Sequence, residues 1–359
     1  MTAAQLAAAG VLDAPRIGRT VAGIRALQRP DGALPWFAGD KLDPWDHTET
    51  AMALDAAGEH EAARRAYRWL ARSQNPDGSW HANYADTPDG VSEVIDETRE
   101  TNFSAYVAVG AYHHYLATSD RGFLHQLWPT VTAAVEFVLR HQRPDGAVRW
   151  NPDSDEALLT GCSSMYQALR CAVAAASALG EHQPGWELAL AALGHALTAH
   201  QERFAPKEHY SMDWYYPVLG TALRGPEAVR RIDEGWDRFV VPSLGVRCVD
   251  TNPWVTGGET SELAIALWAI GRERQARRLL CDIGGQLRDE ADGMYWTGYV
   301  YADAAIWPRE KTSWTAGSVL LALAALGAEP ATRAVFGGEA LPAPLPVDCA
   351  AEPCVSAAR

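Results

Sequence analysis

QRPDGALPW at 28–36, QNPDGSW at 74–80 and QRPDGAVRW at 142–150 say nearly the same thing three times. A phrase that returns inside one chain marks a structural repeat. Pro and Gly end a helix, Asp-Gly makes a tight turn, and the Trp that follows packs the exit loop. Each copy is therefore a stop, and what precedes each stop should be a helix. LRDEADGMYW at 287–296 repeats the phrase without the Pro.

Working outward from these stops, apolar positions recur with helical spacing along most of the chain. The spacing predicts helices over 14–28, 46–58, 60–74, 101–118, 121–142, 163–180, 185–203, 213–223, 226–240, 258–271, 273–288 and 312–327. They alternate in character. The odd ones, such as EHEAARRAYRWLARSQ (59–74) and RERQARRLLCDIGGQLRDE (272–290), carry one apolar stripe and one charged face, as an outer layer should. The even ones, such as FSAYVAVGAYHHYLAT (103–118), MYQALRCAVAAASALG (165–180) and TAGSVLLALAALG (315–327), are apolar all round and so must be buried all round. Six outer helices alternating with six inner ones predict an all-α fold, an (α/α)6 toroid of six helical hairpins. It should span 14–337, with an N-terminal extension at 1–13 and a disordered tail at 338–359. Only GMYWTGYVY at 293–301 reads as a short strand.

Composition narrows the function. A net charge of −14 argues against nucleic acid and anionic membrane as partners. There is no apolar run of about 18 residues, so no membrane span is expected. The first twenty residues lack the basic and apolar regions of a secretory signal, which points to the cytoplasm. The six Cys form no CxxC pair, so no zinc site or disulfide framework is expected, and no cofactor.

The long connections (29–45, 75–100, 143–162, 204–212, 241–257 and 289–311) all lead into inner helices, and the reverse connections are short. The functional face should lie where the inner helices begin. The clusters there are DPWDHTE (43–49), DETRETNF (96–103), DSDEALLTGCSS (153–164), YSMDWYY (210–216), NPWVTGGETSE (252–262) and YADAAIWPREKTSW (301–314). Acids and aromatic rings converging on one mouth suit a polar small-molecule substrate. The candidate binding residues are Trp45, Asp46, His47, Glu49, Arg99, Glu100, Asp213, Trp214, Tyr215, Trp254, Glu259, Trp307 and Trp314. Acids at helix starts are also ordinary caps, Asp43 and Asp213 most plainly. Glu49, Glu100 and Glu262 fall in helices read as buried, where a carboxyl needs a partner or a function. His47 reads as a hydrogen-bonder. The adjacent His113 and His114 face different ways and are not read as metal ligands.

WDHTETAMALDAAGEHEAARRAYRWLARSQNPDGSW (45–80), FLHQLWPTVTAAVEFVLRHQRPDGAVRW (123–150) and SWTAGSVLLALAAL (313–326) resemble elements of the six-hairpin glycosidase superfamily, the (α/α)6 enzymes that include glucoamylase. The resemblance covers roughly 14–327 and implies a glycoside hydrolase acting on a sugar or glycoconjugate. In that superfamily the general acid comes from the loop after the fifth helix and the base from the loop before the twelfth. By position, the acid would be Asp155 or Glu156 and the base Glu310 or Asp303. Hydrolysis needs one carboxyl protonated and the other ionised. Asp155, between Trp150 and ALL, should sit in apolar surroundings that raise its pKa, and Lys311 should keep Glu310 charged.

QNPDGSW also satisfies the Q-x3-G-x-W repeat of terpene-cyclase and prenyltransferase toroids. That resemblance implies an isoprenoid substrate as the alternative, although the acid motif and zinc ligands of those enzymes are missing. A non-catalytic ligand-binding toroid is the third reading.

Overall fold

A computed structural model of the chain describes residues 2–87 and 92–347. The outer helices are α2 (Ala14–Leu27), α4 (His60–Ser73), α6 (Arg121–Arg140), α8 (Pro184–Ala199), α10 (Gly225–Phe239) and α12 (Glu273–Gln286). The inner helices are α3 (Pro44–Ala56), α5 (Thr101–Thr118), α7 (Leu159–Leu179), α9 (Ser211–Leu219), α11 (Gly257–Ala269) and α13 (Ser313–Leu326). Each inner helix packs on the next, and α13 returns to α3, so the ring closes. Every residue of α3 is buried, whereas α4 buries one face built on Ala62, Ala63, Ala66, Tyr67, Trp69 and Leu70. That is the difference expected between a helix packed on all sides and one with a solvent side.

The recurring phrase is a lock between neighbouring outer helices. Gln28 donates to the Gly32 carbonyl of its own turn (3.2 Å) and to the Ala62 carbonyl of α4 (2.8 Å). Gln74 does the same with Gly78 (3.0 Å) and Thr130 of α6 (2.9 Å), and Gln142 with Gly146 (3.0 Å) and Ala189 of α8 (2.9 Å). The three glycines have φ of 98°, 92° and 90°. A Cβ on them would stand 2.2, 2.0 and 2.4 Å from carbonyl oxygens of Arg65, Ala133 and Ala192, so only Gly fits against the next helix. Arg72, Arg140 and Arg203 answer from the far side by donating to the carbonyls of Asp31, Asp77 and Asp145. At the fourth copy Arg288 takes the place of Gln. It bonds Gly293 O (2.7 Å) and Arg16 O of α2 (3.0 Å), which closes the outer ring.

The six long connections form a hydrogen-bonded collar around one end. Its strands are β1 (Lys41–Leu42), β2 (Asn83–Asp86), β3 (Ser92–Asp96), β4 (Val240–Val241), β5 (Gly245–Arg247), β6 (Trp254–Thr256), β7 (Gly298–Val300) and β8 (Ala305–Ile306). They make two antiparallel sheets, β1-β2-β3 and β4-β5-β6-β7-β8. The β1–β2 and β6–β7 pairs join neighbouring connections. The other joints are Thr101 N to Trp150 O (2.9 Å), Ala205 N to Ala157 O (2.8 Å), Ser211 N to Cys248 O (2.9 Å) and Ser313 N to Trp36 O (2.7 Å). This corrects the expectation of a single short strand, of which only Gly298–Val300 is one. Strands of two to five residues, several paired with distant connections, carry no alternation of their own to read.

The opposite end is closed by α14 (Pro330–Gly337), which packs on α5, α11 and α13. The tail expected to be disordered from 338 is held further than that. Arg170 bonds the carbonyls of Gly338 (2.6 Å), Leu341 (3.0 Å) and Pro342 (2.9 Å). Residues 348–359 of that tail lie outside the described residues. At the N-terminus the short helix α1 (Ala3–Leu6) packs on α2 and α13, and Leu6 is fully buried. Among the described residues no single helix is long and apolar enough to cross a membrane.

Candidate active site

A cavity of about 420 Å³ opens inside the collar. Its walls are Trp36, Lys41, Asp43, Trp45, Asp46, Asn83, Glu100, Asn102, Phe103, Leu158, Thr160, Gly161, Met212 and Trp314. They come from the first turns of α3, α5, α7, α9 and α13 and from the connections before them, so helix N-termini face the cavity and favour negative charge there. Trp45 is held flat against Tyr106 (centroids 4.3 Å apart, planes 4°) and tilted against Phe103 and Tyr216.

Three carboxyls line this cavity. Asp43 is occupied. It caps α3 by accepting from Asp46 N (2.8 Å) and takes the Trp36 indole N–H (2.8 Å). Glu100, at the N-cap position of α5, accepts from the Trp150 indole (2.8 Å). Burial raises its pKa to about 7. Asp46 is 9% exposed, and its carboxyl makes no hydrogen bond to a described residue. Burial, and then the neighbouring acids Asp43, Glu49 and Glu262, hold it well above the usual carboxylate range.

Two further acids lie beneath. Glu49 gives one oxygen to the Trp314 indole, and its other has no partner among the described residues. Burial raises it to about 7. Glu262 accepts from the hydroxyls of Tyr216 (2.7 Å) and Tyr215. Burial and then Glu49 raise it strongly. Acids this close and this dry cannot all ionise, so the group keeps protons at neutral pH.

Of the residues expected at the mouth, Trp45, Asp46, Glu100 and Trp314 meet in the cavity wall, and Glu49 and Tyr215 lie below it. The rest are elsewhere. His47 is fully buried, accepts from Leu34 N (3.2 Å) and reaches Ala66 O (3.0 Å); burial lowers its pKa to about 4, and it ties loop to helix. Arg99 is taken by Asp77 of the second turn (2.7 Å). Asp213 and Trp214 line a neighbouring cavity instead. Glu259 is buried in the first turn of α11, away from the lining. Trp254 and Trp307 meet edge to face (5.2 Å) on the collar, with Trp307 56% exposed.

The expected catalytic acids need the same correction. Asp155 is 91% exposed and pairs with Arg149 (3.0 Å), because the Trp150 indole that should have covered it turns to Glu100. Glu156 and Asp303 are exposed. Glu310 stands at the rim, where burial and then Asp40 push its carboxyl up. Lys311 does not serve it but bonds Asp289 (2.9 Å) and Asp292. The sequence reading missed Trp36, Lys41, Asn83, Asn102, Phe103, Thr160 and Met212. Trp36 had a signal, since it ends the first copy of the phrase, and Asn102, Phe103, Thr160 and Met212 lie inside the clusters placed at the functional face. Among the described residues no group of three or more His, Cys, Asp or Glu is arranged to hold a metal.

No family model matches the chain. It is 48% identical over 347 residues, 95% of each chain, to the MMP endo-(1,4)-3-O-methyl-alpha-D-mannosidase of Mycolicibacterium hassiacum. The chain belongs to that enzyme's family. It is a glycoside hydrolase. Solved structures share the fold of this hydrolase at low identity. A glycosidase in complex with glucose has a TM-score of 0.71 at 15% identity, covering 91% of this chain and 98% of its own. A D-mannose isomerase has a TM-score of 0.67 at 13% identity, covering 87% and 96%. The isoprenoid substrate implied by Q-x3-G-x-W gives way to a sugar, because that phrase is the outer-helix lock and marks architecture alone.

Proposed function

We propose that this hydrolase cleaves, from within the chain, an α-(1,4)-linked polymer of O-methylated mannose, with Asp46 as proton donor and Glu100 as base. The substrate follows the name of the 48% identical relative. The observation that carries the catalytic assignment is that Asp46 lines the cavity and is bonded by no described residue. Structural duties occupy Asp43 and leave one oxygen of Glu100 available. Two carboxyls with different proton affinities are what glycoside hydrolysis requires. Asp46, held up by burial and by three neighbouring acids, keeps its proton for the glycosidic oxygen. Glu100, near 7 and supported by an indole N–H, ionises first and takes a proton from the attacking water. Trp36, Trp45, Phe103, Leu158, Met212 and Trp314 give the cavity apolar walls suited to methyl ethers. Glu310 is the second candidate for base, because Lys41, which lines the cavity, offsets part of the rise that burial and Asp40 impose on it.

Asp46→Asn and Glu100→Gln should each cut turnover on the polymer by about 10²–10⁴. A mannosyl fluoride needs no proton to leave, so it should restore turnover in Asp46→Asn and not in Glu100→Gln. The opposite rescue pattern would exchange the two roles, and wild-type turnover in either variant removes that residue from the mechanism.

A further inference from the structure

A second cavity, of about 570 Å³, adjoins the first, and the two share one wall. Leu158, Thr160, Gly161 and Met212 face the active-site cavity, while Leu159, Asp213 and Trp214 face its neighbour. The wall is therefore the paired starts of α7 and α9. Two hydrogen bonds cross it: Thr160 donates its hydroxyl (2.7 Å) and its backbone N–H (3.3 Å) to the same oxygen of Asp213. Asp213 thus caps α7 from the neighbouring helix.

Asp213 is 7% exposed, and no described residue bonds its other oxygen, Oδ2. A carboxylate this deeply placed is stable only if donors reach its free oxygen. Beside it Trp214, stacked on Phe239 (5.3 Å, 17°), forms a buried apolar wall of the cavity, the two rings being 6% and 1% exposed. Arg231 fixes that wall by donating to the carbonyls of Asp213 (2.6 Å) and Trp214 (2.7 Å) and to the Gln201 side-chain oxygen (2.9 Å). A sugar offers hydroxyl donors for such an oxygen.

We propose that this flank cavity is a second carbohydrate subsite, holding sugar units of the polymer beyond those in the active-site cavity. It rests on the substrate reading above, since a chain of sugars can occupy both cavities across the Thr160–Asp213 wall and a single sugar cannot. The wall gives the subsite its meaning: a polymer seated on both sides of α7 and α9 is gripped away from the bond that breaks.

Two variants test it. Ala205→Trp fills the cavity from its edge, and Asp213→Asn can keep an acceptor for Thr160 while exchanging Oδ2 for an amide. Each is assayed on a 3-O-methylmannose α-(1,4)-disaccharide and on a dodecamer of the same units, with thermal unfolding as the check on folding. The ratio of KM for the dodecamer to KM for the disaccharide should rise about tenfold, the effect falling on KM rather than kcat, which corresponds to about 1.4 kcal/mol of binding. A ratio unmoved in both folded variants overturns the subsite. If the wild type cleaves neither compound, it is the substrate reading that fails. Calorimetric titration with the dodecamer then decides the subsite: binding abolished by Ala205→Trp sustains it, and no binding, or binding untouched by that variant, overturns it.

Discussion

Helix α3 carries buried acids at both of its ends, and they behave oppositely. Asp46 and Glu49 stand in its first two turns and Asp55 in its last, with exposures of 9, 0 and 0%. The helix dipole should favour charge on the first two and oppose it on the third. The order found is the reverse. Burial, and then neighbouring acids, hold Asp46 high, and burial raises Glu49 to about 7. Burial pushes Asp55 up too, but hydrogen bonds from His114 (2.8 Å) and His60 (3.0 Å) outweigh it and bring it below the ordinary value. Glu329, at the same closed end, is also lowered. Burial is outweighed there by His113 and by the Ala331 (3.1 Å) and Thr332 (2.6 Å) backbone N–H groups it caps. A dipole contributes about 0.3–1 kcal/mol at a terminus, and a set of direct partners more. The closed end spends these two buried acids on structure, and both are partnered. The mouth leaves acids under-partnered, which costs stability.

The comparison breaks most readily at the closed end. Asp55→Ala strips the acceptor from His114 and His60 in a buried site, and urea unfolding should show a loss of about 3–5 kcal/mol. Because the folded pKa of Asp55 is depressed, its contribution is present above the ordinary value of 3.8 and fades as pH falls through the lower folded one. The deficit of the variant should therefore shrink in strong acid. A deficit independent of pH would mean packing, not charge, distinguishes this end.

At the mouth the sign is opposite. Glu49 has an ordinary value of 4.5 and a folded one of about 7, so the folded state binds the extra proton and stability falls as pH climbs between them. Glu49→Gln keeps an acceptor for the Trp314 indole without the charge. Thermal unfolding at pH 4 should barely separate variant from wild type, and at pH 8 the variant should be the more stable by up to about 3 kcal/mol. Equal melting at both pH values would remove the contrast between the two ends of α3.

The smallest effect is expected outside both regions. Asp155→Asn, on a solvated side chain, should change stability by less than about 0.5 kcal/mol and leave turnover as it was. A tenfold fall in kcat would return the proton donor to the connection after the fifth ring helix.

The elements were legible to a degree that the site was not. The helix predicted over 101–118 has those bounds in the structure, because an apolar run between Glu100 and the left-handed Ser119 leaves little choice. Where the bounds moved, a distant residue moved them. The helix expected from 163 begins at Leu159 because Asp213 caps it from α9. The one expected to reach 223 stops at Leu219, where Gly220 lies against the backbone of Ser163. In the cavity wall, Asp46 and Glu100 were legible because they mark helix starts. Asp155 misled because the Trp150 ring beside it in sequence belongs to Glu100 in space.

Periodicity and turn chemistry act over a few residues, so the sequence by itself determined the twelve ring helices, their inner and outer ranks, the turns that end the outer helices and the end at which the mouth lies. Proton affinity acts through what stands within a few ångströms in space. The partner of Glu49 is Trp314, 265 positions away, and Asp46 feels Glu262 across the ring. Closing the ring brings those groups together and shuts out water. Only the tertiary structure could decide which acids at the mouth are held by partners and which are left without them.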